Sequence, residues 1–203
     1  MGLRINTNVA AINASRTLRR STTSLNKSLE KLSSGLRINR AADDAAGLAI
    51  AEGFRSIVRG TQVAQRNAQD GISLVQTAEG SLSETTNILQ RIRELAVQSA
   101  NGTQSTTNRQ AIQAEVTQLI AQIDDISTDT EFNGIRVLSV NQTVTLQAGA
   151  QASQTLAITM GGARSADLAV SALSVSSATQ ATSAISTLDL ALRSVNSLRS
   201  TLG

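Results

Sequence analysis

Cysteine, histidine, proline, tryptophan and tyrosine are all missing from this 203-residue chain, and Phe54 and Phe132 are its only aromatics. Without histidine or cysteine it lacks the usual proton shuttles, thiolate nucleophiles and soft metal ligands. Without cysteine no disulfide can form, so stability in any compartment rests on packing. Without proline the usual helix breaker is gone, and with so few aromatics the core must be aliphatic. No apolar run approaches the roughly 20 residues of a membrane span. Met1 to Ala10 has no apolar stretch of the kind a secretory signal needs, so export would require a different machine. Neither a membrane nor a metal or cofactor is expected as a partner.

The formal charge of +3 conceals an asymmetry: residues 1–66 hold eleven Lys or Arg against four acids, and the remainder seven against eleven. In the basic third, Arg16, Arg19, Arg20, Lys27 and Lys31 are interleaved with Leu18, Leu25 and Leu29. No stacking aromatics or recognition motif accompany them, so a solvated or subunit-facing helix surface is expected and nucleic acid is not.

Asn8 to Ser33 reads as a helix, with Leu18, Leu25, Leu29, Leu32 and Leu36 at mostly three-, four- and seven-residue steps. Ile5, Val9 and Ile12 form a similar seam, displaced in phase by the six-residue step from Ile12 to Leu18. Ser33-Ser34-Gly35 supplies a stop, with glycine free to take a left-handed cap. Asp43 and Asp44 place negative charge at the start of a second helix that runs to Ala100, before the Asn101-Gly102 turn. Phe54, Thr61, Ala68, Val75, Leu82, Leu89 and Ala96 recur every seven residues along it. Ile57, Ala64, Gly71, Ala78, Thr85, Ile92 and Ser99 form the companion row. A third helix, about Asn108 to Ser127, carries Ile112, Val116, Leu119, Ile123 and Ile126. Val144 and Leu146, then Leu156, Ile158 and Met160, alternate with polar residues about Ala148-Gly149-Ala150, which predicts a small β-hairpin. Ser176 to Leu202 returns to helix through Ile185, Leu188, Leu192, Val195, Leu198 and Leu202.

The fold class expected is mainly α: an elongated antiparallel helical bundle or coiled coil with a small β-hairpin at about 140–160. Residues 1–42 read as an N-terminal coiled-coil helix and connector, and residues 43–203 as a rod-like helical core domain. At 1.5 Å per residue the second helix is about 85 Å long, against roughly 30 Å and 40 Å for the third and last, which cannot cover it. Apolar seams of that length ask for further helices, most simply those of identical copies, although one three-helix bundle over 43–202 also fits. Ile5, Val9, Ile12, Leu18, Leu25, Leu29 and Leu32 are the candidate subunit-packing residues.

Several segments resemble bacterial flagellin: Leu3-Arg4-Ile5-Asn6-Thr7-Asn8, Leu32-Ser33-Ser34-Gly35-Leu36-Arg37-Ile38-Asn39 and Asp43-Asp44-Ala45-Ala46-Gly47. The resemblance continues in Arg66-Asn67-Ala68-Gln69-Asp70-Gly71-Ile72-Ser73, Leu89 to Asn101 and Glu131-Phe132-Asn133-Gly134, covering nearly all of residues 1–140. It is weaker at the hairpin and from Leu188 to Gly203. It implies a motility filament outside the cell, its subunits exported unfolded by the flagellar type III apparatus and polymerised beneath a distal cap. It also implies recognition by a host Toll-like receptor, with Arg91, Leu95 and Glu115 at the matching positions. Two departures are expected. Only Gly161 to Ser177 is available for an outer variable domain, and the helical segment that follows a sequence like Ser197 to Gly203 in the family is not seen.

From spacing alone Arg91 pairs with Glu94 and Leu95 widens the core stripe; the family match instead makes Arg91 and an exposed Leu95 neighbours in a binding surface, flanked by Glu115. The runner-up function is a junction protein linking hook to filament, which shares terminal helices of this type; the Leu89 to Asn101 match favours the filament. An enzyme would have to use Asp43 with Asp44, or Asp124 with Asp125, as a divalent-cation site. With no histidine and no Gly-rich ligand loop, helix-start charge and a solvated helix face are the simpler readings, and no catalytic residue is expected.

Overall fold

The computed structural model describes residues 8–203. It is mainly α, with four helices and two small antiparallel sheets. The helices are α1 (Val9–Ser34), α2 (Ala45–Ala100), α3 (Thr106–Asp129) and α4 (Ala178–Leu202). The strands are β1 (Glu131–Phe132), β2 (Ile135–Arg136), β3 (Gln142–Gln147) and β4 (Thr155–Met160). The chain divides into two compact units, Met1–Arg59 and Gly60–Gly203, with the division inside α2.

The helix ends follow from local chemistry. Asn8 Oδ1 accepts from the Ala11 amide at 3.1 Å to start α1, and Gly35, at φ 68°, ends it in the left-handed region. Asp44 Oδ1 accepts from the Gly47 amide at 2.8 Å at the start of α2. Ser105 and Ser177 do the same for α3 and α4. Between α1 and α2 the connector folds back on α1. Asn39 Nδ2 donates to the Glu30 carbonyl and to Ser34 Oγ, and Arg40 Nε donates to Glu30 Oε1 at 2.8 Å.

In the second unit α2, α3 and α4 share one aliphatic core. The companion row from Ala64 to Ser99 is buried at every position, as is Leu82, Leu89 and Ala96 of the first row. A third row, Leu74, Ile88 and Leu95, is buried too, and so is Ile120 of α3. Two heptad rows suffice for one partner helix; α2 has two partners, so its buried stripe is wider. Phe54, of the first row, lies outside this core and is 63% exposed.

The expected hairpin forms, with Val144 opposite Ile158 and Leu146 opposite Leu156. It lies close to α2: a Cβ placed on Gly60 would sit 3.2 Å from Ala150 Cα, and Gly71 faces the Leu146 side chain. A second, shorter hairpin turns at Asn133 and Gly134, whose φ values of 51° and 77° are those of a type I′ turn.

Residues 161–177 pack inward with no regular structure. Ala163, Ser165, Leu168, Val170 and Val175 are buried, and side chains from the helices take up their backbone polar groups. Asp124 accepts from the Ser165 amide at 2.8 Å and from its hydroxyl at 2.7 Å. Gln113 Oε1 accepts from the Val175 amide at 2.6 Å, and Ser99 Oγ donates to the Val175 carbonyl.

Candidate assembly and recognition surfaces

Helix α1 buries no residue. Val9, Ile12, Leu18, Leu25, Leu29 and Leu32 are all exposed, Leu32 to 80%; Ile5 lies outside the described residues. The helix runs unbroken from Val9, so the six-residue step is not absorbed by a kink, and Val9 and Ile12 point away from the leucine face. Leucines at this spacing keep one face, and the Ser, Thr and Asn residues around them neither bury nor extend it.

The three positions singled out by resemblance are not alike. Arg91 on α2 and Glu115 on α3 are brought together: Arg91 Nη2 donates to Glu115 Oε1 at 3.0 Å, while Nη1 donates to Glu94 Oε2 at 3.2 Å. These two carboxylates, Glu115 first, hold the guanidinium even more firmly protonated than an ordinary arginine. Leu95 is not the exposed neighbour that was expected. It is 3% exposed, because it belongs to the third buried row of α2. The surface at this point is therefore a charged Arg91–Glu94–Glu115 group above a packed leucine.

Neither acid pair is arranged as a cation site. Asp43 Oδ2 accepts from the backbone amides of Asn39 and Arg40, while Asp44 caps α2. The Asn39 amide in particular holds the Asp43 carboxyl below its ordinary value, with Arg40, Lys31 and Lys27 adding to the effect and partial desolvation opposing it. Asp124 serves the 161–177 segment. Among the described residues no group of three or more His, Cys, Asp or Glu side chains converges, and no helix is long and apolar enough to cross a membrane. Sequence reasoning missed the Asp124, Gln113 and Ser99 anchors; each joins residues 41 to 76 positions apart and carries no local signature.

Comparison with known proteins bears on these surfaces. A flagellin of Salmonella muenchen is 53% identical over 146 residues, which are 72% of this chain and 29% of that protein. The flagellar filament 33 kDa core protein of Treponema phagedenis is 56% identical over 135 residues, 66% of this chain and 47% of that one. The chain thus spans less than a third of the Salmonella relative's length. Among solved structures, Bacillus cereus flagellin matches with a TM-score of 0.58 and 32% identity over 68% of this chain and 81% of that one. The family model for the bacterial flagellin N-terminal helical region matches residues 5–143, more than half of the sequence, and the chain belongs to the bacterial flagellin family.

Proposed function

We propose that the chain is a non-enzymatic structural subunit of the bacterial flagellar filament, and that α1 carries a surface through which copies pack. The observation that supports this most directly is the face of Leu18, Leu25, Leu29 and Leu32, each more than half exposed. Burying one such side chain fully is worth about 1.5–3 kcal/mol, so the set supplies a driving force for association of several kcal/mol before entropy is counted. Residues 1–42 then act as the assembly arm and 43–203 as the helical domain it carries. Family membership supports the remaining context: export through the flagellar apparatus, growth under a distal cap, and motility from an extracellular filament.

Leu18→Asp or Leu25→Asp tests the packing surface. A carboxylate forced unpaired into a subunit seam costs several kcal/mol. Filament incorporation, seen by electron microscopy, is expected to be lost while the α3 helix stays intact; normal incorporation of either variant would remove the seam from the argument.

Recognition by a host Toll-like receptor belongs to the same reading. Its support is the exposed pairing of Arg91 with Glu115, which places two of the three positions at one surface. Leu95 contributes from below, by packing. Arg91→Ala is expected to weaken binding of the monomer by about 1–2 kcal/mol, the hot-spot range. Equal affinities of wild type and variant in a surface-binding assay, at unchanged helicity, would return Arg91 to the solvated surface.

A further inference from the structure

We infer that α1 of the unassembled chain is an amphipathic helix that lies on anionic lipid surfaces. Projected at about 100° per residue, Leu18, Leu25, Leu29 and Leu32 fall within an arc of about 60°, together with Ala11 and Ala14. All four leucines are exposed. Arg16, Arg19, Arg20, Lys27 and Lys31 occupy an arc of about 120° on the other side, and every one is exposed. Arg16, Arg19 and Arg20 form no ion pair among the described residues, while Lys27 and Lys31 lie near Asp43. The helix has one acid, Glu30, and Arg40 of the connector already engages it. From Arg16 to Leu32 the helix is therefore leucine on one side and cationic on the other, with almost no compensating charge; Val9 and Ile12, nearer its start, lie in line with the basic arc.

The remaining surface suits an interface where water is scarce. Thr17, Thr22, Thr23 and Ser28 return their hydroxyl protons to the carbonyls of Asn13, Leu18, Arg19 and Ser24, so they bring few unmet hydrogen-bond demands. The leucine stretch is about 21 Å long, which lets it lie flat with its apolar side at the acyl boundary. The long basic side chains then stand at the level of the lipid phosphates or within a Debye length of them. Charge complementarity selects this occupant. Before assembly, an acidic surface would satisfy the cations and leave the leucines bare, and the leucine seam of another copy, which takes this face in the proposed filament, would cover the leucines and leave the cations unpaired. An anionic bilayer takes both. Absence of a spanning segment argues against a membrane only for a helix that must cross one; a helix lying on the surface needs no such length.

The test is co-sedimentation of the full chain, dilute enough to be monomeric, with vesicles of phosphatidylglycerol and phosphatidylcholine or of phosphatidylcholine alone. Partition is expected to be at least about tenfold stronger on the anionic vesicles and to fall as salt is raised. Arg16→Gln, Arg19→Gln and Arg20→Gln together should weaken it by about a hundredfold. Leu25→Ser with Leu29→Ser should weaken it by at least about tenfold. Because α1 buries nothing, each variant should keep the wild-type melting temperature, which checks that the second unit is folded. Equal binding to both vesicle types would overturn the inference. A leucine variant that partitions like wild type, or binding to polyglutamate as strong as to the anionic vesicles, would overturn it in favour of an acidic protein partner.

Discussion

Asp124→Ala is the substitution by which the packing of residues 161–177 is most sharply examined. In the folded chain one carboxylate oxygen accepts from the Ser165 amide at 2.8 Å and the other from the Ser165 hydroxyl at 2.7 Å. Ser165 is 4% exposed, so both of its donors depend on that carboxylate. A hydrogen bond to a charged acceptor is worth about 1.5–3 kcal/mol, and the half-buried position of Asp124 lets water replace part of what is lost. Alanine also returns about 0.5 kcal/mol of helix propensity. The net expectation is a loss of about 2–4 kcal/mol, which for a unit of this size lowers the melting temperature by roughly 5–15 °C. Asp124→Asn keeps one acceptor and offers a donor to a hydroxyl that can turn to accept it, so it should cost only about 1 kcal/mol. Urea unfolding followed by circular dichroism gives the energies. Hydrogen exchange should localise the damage to the amides of Leu168, Val170 and Ser171, which bond back to Arg164 and Ser165. An alanine variant within about 0.5 kcal/mol of wild type, with those amides still protected, would refute the reasoning.

Gly60→Val drives a side chain into the backbone of Ala150 and should cost about 1–3 kcal/mol, with the loss visible as faster exchange in β3 and β4. Leu95→Ala should destabilise the chain by about 2–5 kcal/mol in denaturant, whereas Arg91→Ala, an exposed ion-pair member, should change stability by no more than about 1 kcal/mol. Asp43 has a lowered value in the folded state, so its contribution to the connector is present above its ordinary value of 3.8 and is lost as pH falls through the lowered one. The Asn39 and Arg40 amide resonances should accordingly shift together on acidification below that value, and Asp43→Asn should abolish the pH dependence.

The parts legible in the sequence are those whose cause is local. The leucine spacing of α1, the Gly35 stop, the Asp44 cap and the alternation through Val144, Leu146, Leu156 and Ile158 all act within a few residues, and the structure places each element accordingly. Leu74, Ile88 and Ile120 were missed because seven-residue rows describe a helix with one neighbour, and here a second neighbour widens the buried stripe. Leu95 looks available for binding only through the family resemblance; its spacing alone puts it in the core stripe, where the structure finds it. Leu168, Val170 and Val175 could not be read as core, since their segment has no period and becomes buriable only through Asp124, Gln113 and Ser99. Asn133-Gly134 carries a local hairpin signal of its own, since both residues take the positive φ that a two-residue turn between Phe132 and Ile135 requires. For the candidate surfaces, spacing placed the α1 leucines on one face and the family resemblance pointed to Arg91 and Glu115, which the structure pairs; which side chains remain outside the core depended on packing.

Gly60 and Gly71 act as two notches on α2, one receiving the tip of the long hairpin at Ala150 and the other its shaft at Leu146 and Ile158. Eleven residues separate them, about three full turns, so both notches open on the same side of the helix. Helix and hairpin therefore share a length standard, the helix advancing about 1.5 Å per residue and the strand about 3.3 Å. Inserting one residue between the notches would turn one by about 100° more relative to the other and unseat one end of the hairpin. Inserting seven would nearly restore the direction but separate them by a further 10 Å or so, about three strand residues. Length variation in this part of the chain is thus quantised: the two elements can grow or shrink only together, and only in steps that satisfy both pitches.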